Sequence, residues 1–357
     1  MKTKYLSYSG VVSRFIMPFI MLASLLVFSN SGCDWNRIGS KFTIDQLEYT
    51  VHTEDKASKT GTVSVGAAST NIFGNIGIPA SVANGKINYS VVRVPAYAFS
   101  ECSRLTSIII PDSVTEIGQN AFADCSTLAS ITIPDSVTSI EKGAFSKCGK
   151  LPPILFNKGK KILARYSPSN GDTSYSIPDT VTYIGGSAFE SCSRLKSIVI
   201  PDSVTEIDQN AFAECSNLAS VIIPNSVTSI GGGAFIECTS LANIIIPDSV
   251  TSIGEFAFWS CSGLTSVTIG NNVTSIGKYA FRDCCSLTSI TIPDSVTSIR
   301  AEAFYGCDKL TDVYFKGDAP NLPEGDAFFF PSVIYYKPGT KGWKNPWDGR
   351  PTKEWVE

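Results

Sequence analysis

The sequence predicts a mainly β solenoid of stacked 23-residue units, closed by a β-rich cap at its N-terminal end and a capping segment at its C-terminal end. Three observations predict it: a recurring Ala-Phe pair, a Cys three residues after each Phe, and a Leu three residues after each Cys. The Phe residues fall at 99, 122, 145, 189, 212, 235, 258, 281 and 304, in steps of 23 with a single step of 44. Cys follows at 102, 125, 148, 192, 215, 238, 261, 284 and 307, and Leu at 105, 128, 151, 195, 218, 241, 264, 287 and 310. A shared register of three residue types marks a structural repeat, and units this short stack because none can bury its own apolar face alone.

Each part of the unit has a physical role. In the run from Leu105 to Ile110, Ile108 and Ile110 share one face while Ser107 and Ile109 share the other, the period-two pattern of a short strand. Pro111 ends the strand, and Asp112 with Ser113 is expected to supply acceptors for the amides of the following turn. Val114 and Ile117 return apolar groups inward on a second extended segment, and Gly118 permits the next bend. Ala121, Phe122 and Cys125, spaced at one and three, suit a single helical or 3₁₀ turn whose ring fills the space between the two segments.

The flanking segments complete the organisation. Residues 1–32 read as an export signal: Lys2, Lys4 and Arg14 form a positive start, and Phe15 to Phe28 is an apolar run broken only by Pro18 and Ser24. That run is too short to span a membrane as a lone anchor. It ends in Asn30-Ser31-Gly32-Cys33, which resembles a bacterial lipobox and makes Cys33 the candidate lipidation residue, although Asn30 stands where Leu is usual. Residues 33–77 are expected to form the N-terminal cap, since Phe42, Ile44, Leu47, Tyr49, Val51, Val63 and Val65 alternate as strands do. The solenoid is assigned to 78–316 and the C-terminal capping segment to 317–357, where Pro320, Pro323, Pro331 and Pro338 are expected to stop regular pairing beyond the strand at Asp312 to Phe315.

Composition narrows the function. With 17% charged residues and a formal net charge of −3, the chain has no basic field to recruit nucleic acid or an acidic membrane surface, so membrane contact is expected only through an N-terminal lipid. The single histidine, His52, lies in the cap, so no Ser-His-Asp or Cys-His arrangement can form in the repeats, and no enzyme is expected. Cys residues 23 apart lack the short pairs that close a zinc site, and neither metal nor cofactor is expected. The Asp ladder at 112, 135, 202, 248 and 294 reads as turn capping instead of calcium binding, because Asn225 and Asn271 fill the same place without the charge.

The units Ile-Pro-Asp-Ser-Val-Thr-Ser-Ile-Gly and Ala-Phe-x-x-Cys-x-x-Leu resemble the BspA-like leucine-rich repeats, also called the Treponema pallidum type, over about residues 78 to 357. Phe156-Asn-Lys-Gly-Lys-Lys-Ile-Leu with Tyr166 is similar to that family's divergent rung, which lacks Phe and Cys. The resemblance implies a leucine-rich repeat solenoid on a surface or outer-membrane protein, and adhesion to host matrix or plasma proteins or to neighbouring cells.

Two surfaces are candidates for binding. The outward column between the inward Ile residues reads Ile109, Thr132, Val199, Ile222, Ile245, Thr268 and Thr291, an uncharged β-branched strip flanked mostly by Ser. A carbohydrate would instead be held by C-terminal aromatics such as Trp343 and Trp347. The Cys ladder is expected to consist of free buried thiols, with Cys285, which replaces a Ser, exposed and reactive.

Overall fold

The computed structural model describes residues 38–167, 172–323, 326–328 and 333–355. Among these, every regular element is a strand, and no helix is long and apolar enough to cross a membrane. Two parallel ladders run the length of the repeats. One is formed by the return segments: Ile87–Val94 pairs with Glu116–Ile117 and that with Ser139–Ile140, and a second sheet continues from Ile162–Tyr166 through Tyr183–Ile184 to Ser298–Ile299. The other ladder is formed by the outward-facing strands. It comprises three sheets: Phe73–Gly77 with Arg104–Ile109 and Ser130–Thr132; Ser174–Ser176 through Ser266–Thr268; and Ser289–Ile292 through Thr352–Glu354.

Between the ladders lies the Phe stack. Phe212, Phe235 and Phe258 lie nearly parallel at centroid spacings of 5.1 and 5.4 Å. Each Phe is fully buried in the central rungs, so ring–ring contact and area burial act together. The backbone holds the rings in register. The N–H of Phe235 donates to the carbonyl of Ala257 in the next rung at 2.8 Å, and the N–H groups of Gly233 and Glu237 donate to Glu255 and Trp259 at the same distance. This alternation needs a left-handed residue two before and two after each Phe: φ is +64° at Gly233 and +58° at Glu237, +57° at Asn210 and +59° at Glu214. The Cys238 N–H reaches back to the Phe235 carbonyl at 3.3 Å, a bond of 3₁₀ spacing. The left-handed residues keep such single bonds from growing into a helix.

Side-chain donors tie each rung to the one before it. Ser226 donates to the Val204 carbonyl at 2.6 Å, Thr228 to Thr205 at 3.2 Å, and the Cys238 thiol to Phe212 at 3.2 Å. The expected role of the Ser in its own turn is thus replaced by a bond between rungs. The bonded Asp carboxylates also look outward from their own turn: Asp248 accepts from the Asn271 N–H of the next rung at 2.7 Å, and Asp135 accepts from Gly159 and Asn157. A turn carbonyl or amide already met by the neighbouring chain has no need of a local cap.

The ladder closes differently at its two ends. At the N-terminal end, β1 (Lys41–Ile44), β2 (Leu47–Asp55) and β3 (Thr60–Ala67) pair antiparallel in order, and β3 pairs parallel with Ile87–Val94, the first return strand. This covers the open sheet edge that would otherwise invite another chain. At the C-terminal end, pairing does not stop at Phe315 as expected. Val333–Tyr336 and Thr352–Glu354 add two more parallel strands, because Pro320, Pro338, Pro346 and Pro351 fall in the connections and leave the strand amides free to donate. The Phe stack also gains a rung, with Phe328 on Phe304 at 5.0 Å. The sequence hides this one because it comes 24 residues on and has no Cys behind it.

The buried core falls into two clusters that meet along Ile162–Tyr166. There the divergent rung turns back on itself: Ile154–Phe156 pairs antiparallel with Ile162–Tyr166 instead of joining the outward strands. Tyr166 takes the Phe place, its ring tilted against Phe189 at 5.0 Å and its carbonyl accepting the Cys192 thiol at 3.5 Å.

Candidate binding surface

The outward strand positions are where the structure leaves apolar groups uncovered. Val199, Ile222 and Ile245 stand on consecutive rungs with 60%, 82% and 66% of their surface exposed, and Ile109 with 58%. Strand geometry forces this, since Ile198 and Ile200 on either side of Val199 point into the core. Thr132 and Thr268 are exposed and Thr291 is half-buried. The flanking Ser130, Ser197, Ser220, Asn243, Ser266 and Ser289 are exposed too.

The strip is not one continuous surface. Ile109 and Thr132 are paired in one sheet, Ser176 pairs Val199 in the next, and the hairpin of the divergent rung lies between them. The usable face therefore begins at Ser176. It also extends further than the repeat motif indicates: Thr291 pairs Tyr314, Tyr314 pairs Tyr335, and Tyr335 pairs Lys353. Tyr314 and Tyr335 stack at 4.9 Å, and Trp355 leans on Tyr314 at 5.2 Å. Trp355, Lys316, Thr268 and Thr291 line a shallow cleft at that end. The repeat motif does not place these aromatics on the strand face, because they lie past the last Ala-Phe-x-x-Cys copy. Their signal was the alternation in Asp312 to Phe315 and in Val333 to Tyr336.

The C-terminal tryptophans named as candidates for sugar stacking pack against the cap. Trp343 packs against Phe315 at 4.9 Å and stacks on Tyr336 at 5.4 Å, while Trp347 meets Phe315 at 5.6 Å. Both are partly buried against the core, with the Trp343 indole N–H donating to Thr340.

The Cys ladder is a row of free thiols. Burial pushes the Cys102 thiol up to about 11 and Cys238 up to about 12, so neither offers a thiolate at neutral pH. Cys285 differs from the expectation of an exposed, reactive group. It is half-buried, its thiol donates to the Asp283 carbonyl at 3.3 Å, and desolvation with the Asp308 and Asp283 carboxylates raises its pKa. His52 lies exposed on β2. Among the described residues no three His, Cys, Asp or Glu side chains converge on a point that could hold a metal. Cys33 lies outside the described residues.

The chain matches the BspA type leucine rich repeat region in 6 copies, over residues 78–167, 168–284 and 229–330. That is well over half of its length, and the protein belongs to this family. Similar solved structures include a leucine rich cell surface protein from Faecalibacterium prausnitzii, with 28% identity, 77% of this chain and 88% of that one covered, and a TM-score of 0.38. A leucine-rich repeat protein from Bacteroides ovatus has 26% identity, 88% and 100% coverage and a TM-score of 0.37. The pneumococcal vaccine antigen PcpA has 19% identity, 85% and 95% coverage and a TM-score of 0.43. No curated protein matches the chain.

Proposed function

We propose that the protein is a surface-displayed interaction module, an adhesin that binds a host matrix or plasma protein, or a neighbouring cell's protein, through its outward strand face. The observation that carries this reading is the run Val199, Ile222 and Ile245, three consecutive uncovered apolar rungs flanked by uncharged Ser and Asn. A partner covering them desolvates no unpaired ion, and the exposed Lys196 stands only at the edge of the strip. A neutral, flat, β-branched surface repeating at about 4.8 Å suits an extended protein surface better than a sugar ring. Membership of a leucine-rich repeat family whose similar structures include a cell surface protein supports export and display. Cys33, behind the apolar run 15–28, is the proposed lipid anchor.

The test is Val199→Lys, Ile222→Glu and Ile245→Lys made together, followed by pull-down against host matrix proteins and glycans side by side. The triple variant should keep the parent's circular dichroism and lose its protein partner. Unchanged binding in the triple variant, or retention of glycans alone, refutes the strand-face reading. Metabolic labelling with a fatty-acid analogue tests the anchor: the label should appear in the parent and vanish in Cys33→Ser, and an unlabelled parent rules out lipidation.

A further inference from the structure

On the turn side of the solenoid, one rung withdraws its side chains where the next pushes aromatic rings forward. Gly231, Gly232 and Gly233 stand in a row, while the last two of these places hold Gln209 and Asn210 one rung earlier and Glu255 and Phe256 one rung later. Phe256 keeps a left-handed φ of +59°, as Tyr279 does on the following rung. Asn120, Gly143, Asn210 and Gly233 fill this place elsewhere, residue types that take the left-handed form with less strain. A bulky ring there is a conformational outlier, and such strain gathers at sites that need a side chain held in one position.

A cleft of about 540 Å³ opens there, with Gly232 and Gly233 between its two walls. Phe256 and Trp259, both half-buried, form the first wall, an angled corner with ring centroids 5.8 Å apart and planes at 56°. Both rings are held in place. The Trp259 indole N–H donates to Asp283 Oδ2 at 2.9 Å, and Tyr279 backs Phe256 from the next rung at 4.9 Å, so the side of the Phe256 ring toward Gly233 faces the cleft. Lys278 and Arg282 sit over Tyr279 in turn, at 4.9 and 5.2 Å. The second wall is polar. Oriented by its bonds, the Asn210 amide accepts from Lys142 Nζ at 3.1 Å and donates to the Gly232 carbonyl at 3.3 Å. Gln209 and Glu255 stand exposed at the rim. All of these are among the described residues, as are their neighbours in sequence and on the adjoining rungs.

We propose that this cleft is a second binding site, for an uncharged pyranose ring of a glycan, with its C–H face laid on Phe256 and Trp259 and its hydroxyls bonded to Gln209, Glu255 and Lys142. Size, ring chemistry and charge choose this ligand. Core rings of these same rungs stack 5.1 and 5.4 Å apart, so a rung without side chains leaves room for one ring. The electron-rich faces of aromatic rings attract the weakly positive C–H groups on the apolar side of a sugar. The rim brings a cation, a carboxylate and amides together, which hydroxyls answer as donors and acceptors at once. An apolar side chain would desolvate these groups without return, and an ion would meet its own charge. The site lies on the turn side of the solenoid, apart from the strand face, and does not rest on that reading.

The test is titration of the isotope-labelled protein with the methyl β-pyranosides of glucose, galactose and N-acetylglucosamine, followed by the Trp259 indole resonance and the Gly232 and Gly233 amides. Sorbitol and the blocked peptide acetyl-Gly-Phe-Gly-amide serve as controls. At least one pyranoside should shift these resonances saturably, with a Kd on the order of 1 mM for a single ring, and sorbitol, which has hydroxyls but no ring, should bind about tenfold or more weakly. Phe256→Gly removes the ring at a φ that Gly adopts freely, and Gly232→Gln returns the side chain that Gln209 carries one rung earlier; each should weaken the sugar about tenfold or more. Absence of saturable shifts with every pyranoside, sorbitol binding as tightly, tighter binding of the Phe peptide, or full binding retained by both variants overturns the proposal. The comparison of pyranosides with sorbitol on the parent protein decides even where a variant fails to fold.

Discussion

A regular rung set among regular rungs and one that borders the divergent rung differ less in composition than in their neighbours. Phe235 has a ring on both sides at 5.1 and 5.4 Å, a backbone bond to the next rung, and a carbonyl that accepts the Cys261 thiol of that rung, as the Phe212 carbonyl accepts Cys238. Phe145 has one stacked ring among the described residues, Phe122 at 5.7 Å, and borders a cleft. The lesson is that stability in this fold belongs to interfaces between units. A rung gains its order from two neighbours, so a change in one rung is felt at both of its faces.

The largest expected effect comes from the ring stack. Phe235→Ala should cost about 3–5 kcal/mol in chemical denaturation, because rings held on both sides cannot close the cavity without losing register. Phe145→Ala should cost about half as much, having one stacked partner and open space beside it. Equal losses at the two positions would break the comparison. The thiol relay comes next: Cys238→Ala removes a buried sulfur and its bond to Phe212 at 3.2 Å, for about 1–2 kcal/mol. Cys192→Ala should cost less, since its bond to Tyr166 is 3.5 Å long.

The smallest effect sharpens the comparison by being equal at both rungs. Glu237 and Lys147 each hold a left-handed φ, +58° and +56°, with exposed side chains. Replacing either with Gly should raise the urea midpoint by an amount worth about 0.5–1 kcal/mol, because the strain is local to the residue. A gain at one and a loss at the other would show that rung context, and not backbone strain, sets the cost.

How much of this was legible follows from which interactions repeat. The Phe, Cys and Leu ladders and the inward and outward Ile could be read because each position meets the same environment in every copy, so periodicity alone reports it. The uncovered Val199, Ile222 and Ile245 were legible for the same reason. What periodicity could not report is where copies change. The hairpin at Ile154 to Tyr166 breaks the outward strip, Phe328 extends the stack at an irregular step, and Tyr314, Tyr335 and Trp355 carry the strand face into the cap. The turn roles expected of Ser113 and Asp248 give way to bonds between rungs because their partners, Val91 and Asn271, lie a whole rung away in sequence, while turn chemistry is judged over a few residues.

Native-state hydrogen exchange resolved to single amides tests the central claim most directly. If order in each rung comes from the neighbours on both sides, the amides of Gly233, Phe235 and Glu237, which donate to the next rung, should be protected by a factor on the order of 10³ or more, while those of Gly143, Phe145 and Lys147, beside the divergent rung, exchange far faster under the same conditions. Equal protection at the two sets of amides would contradict it.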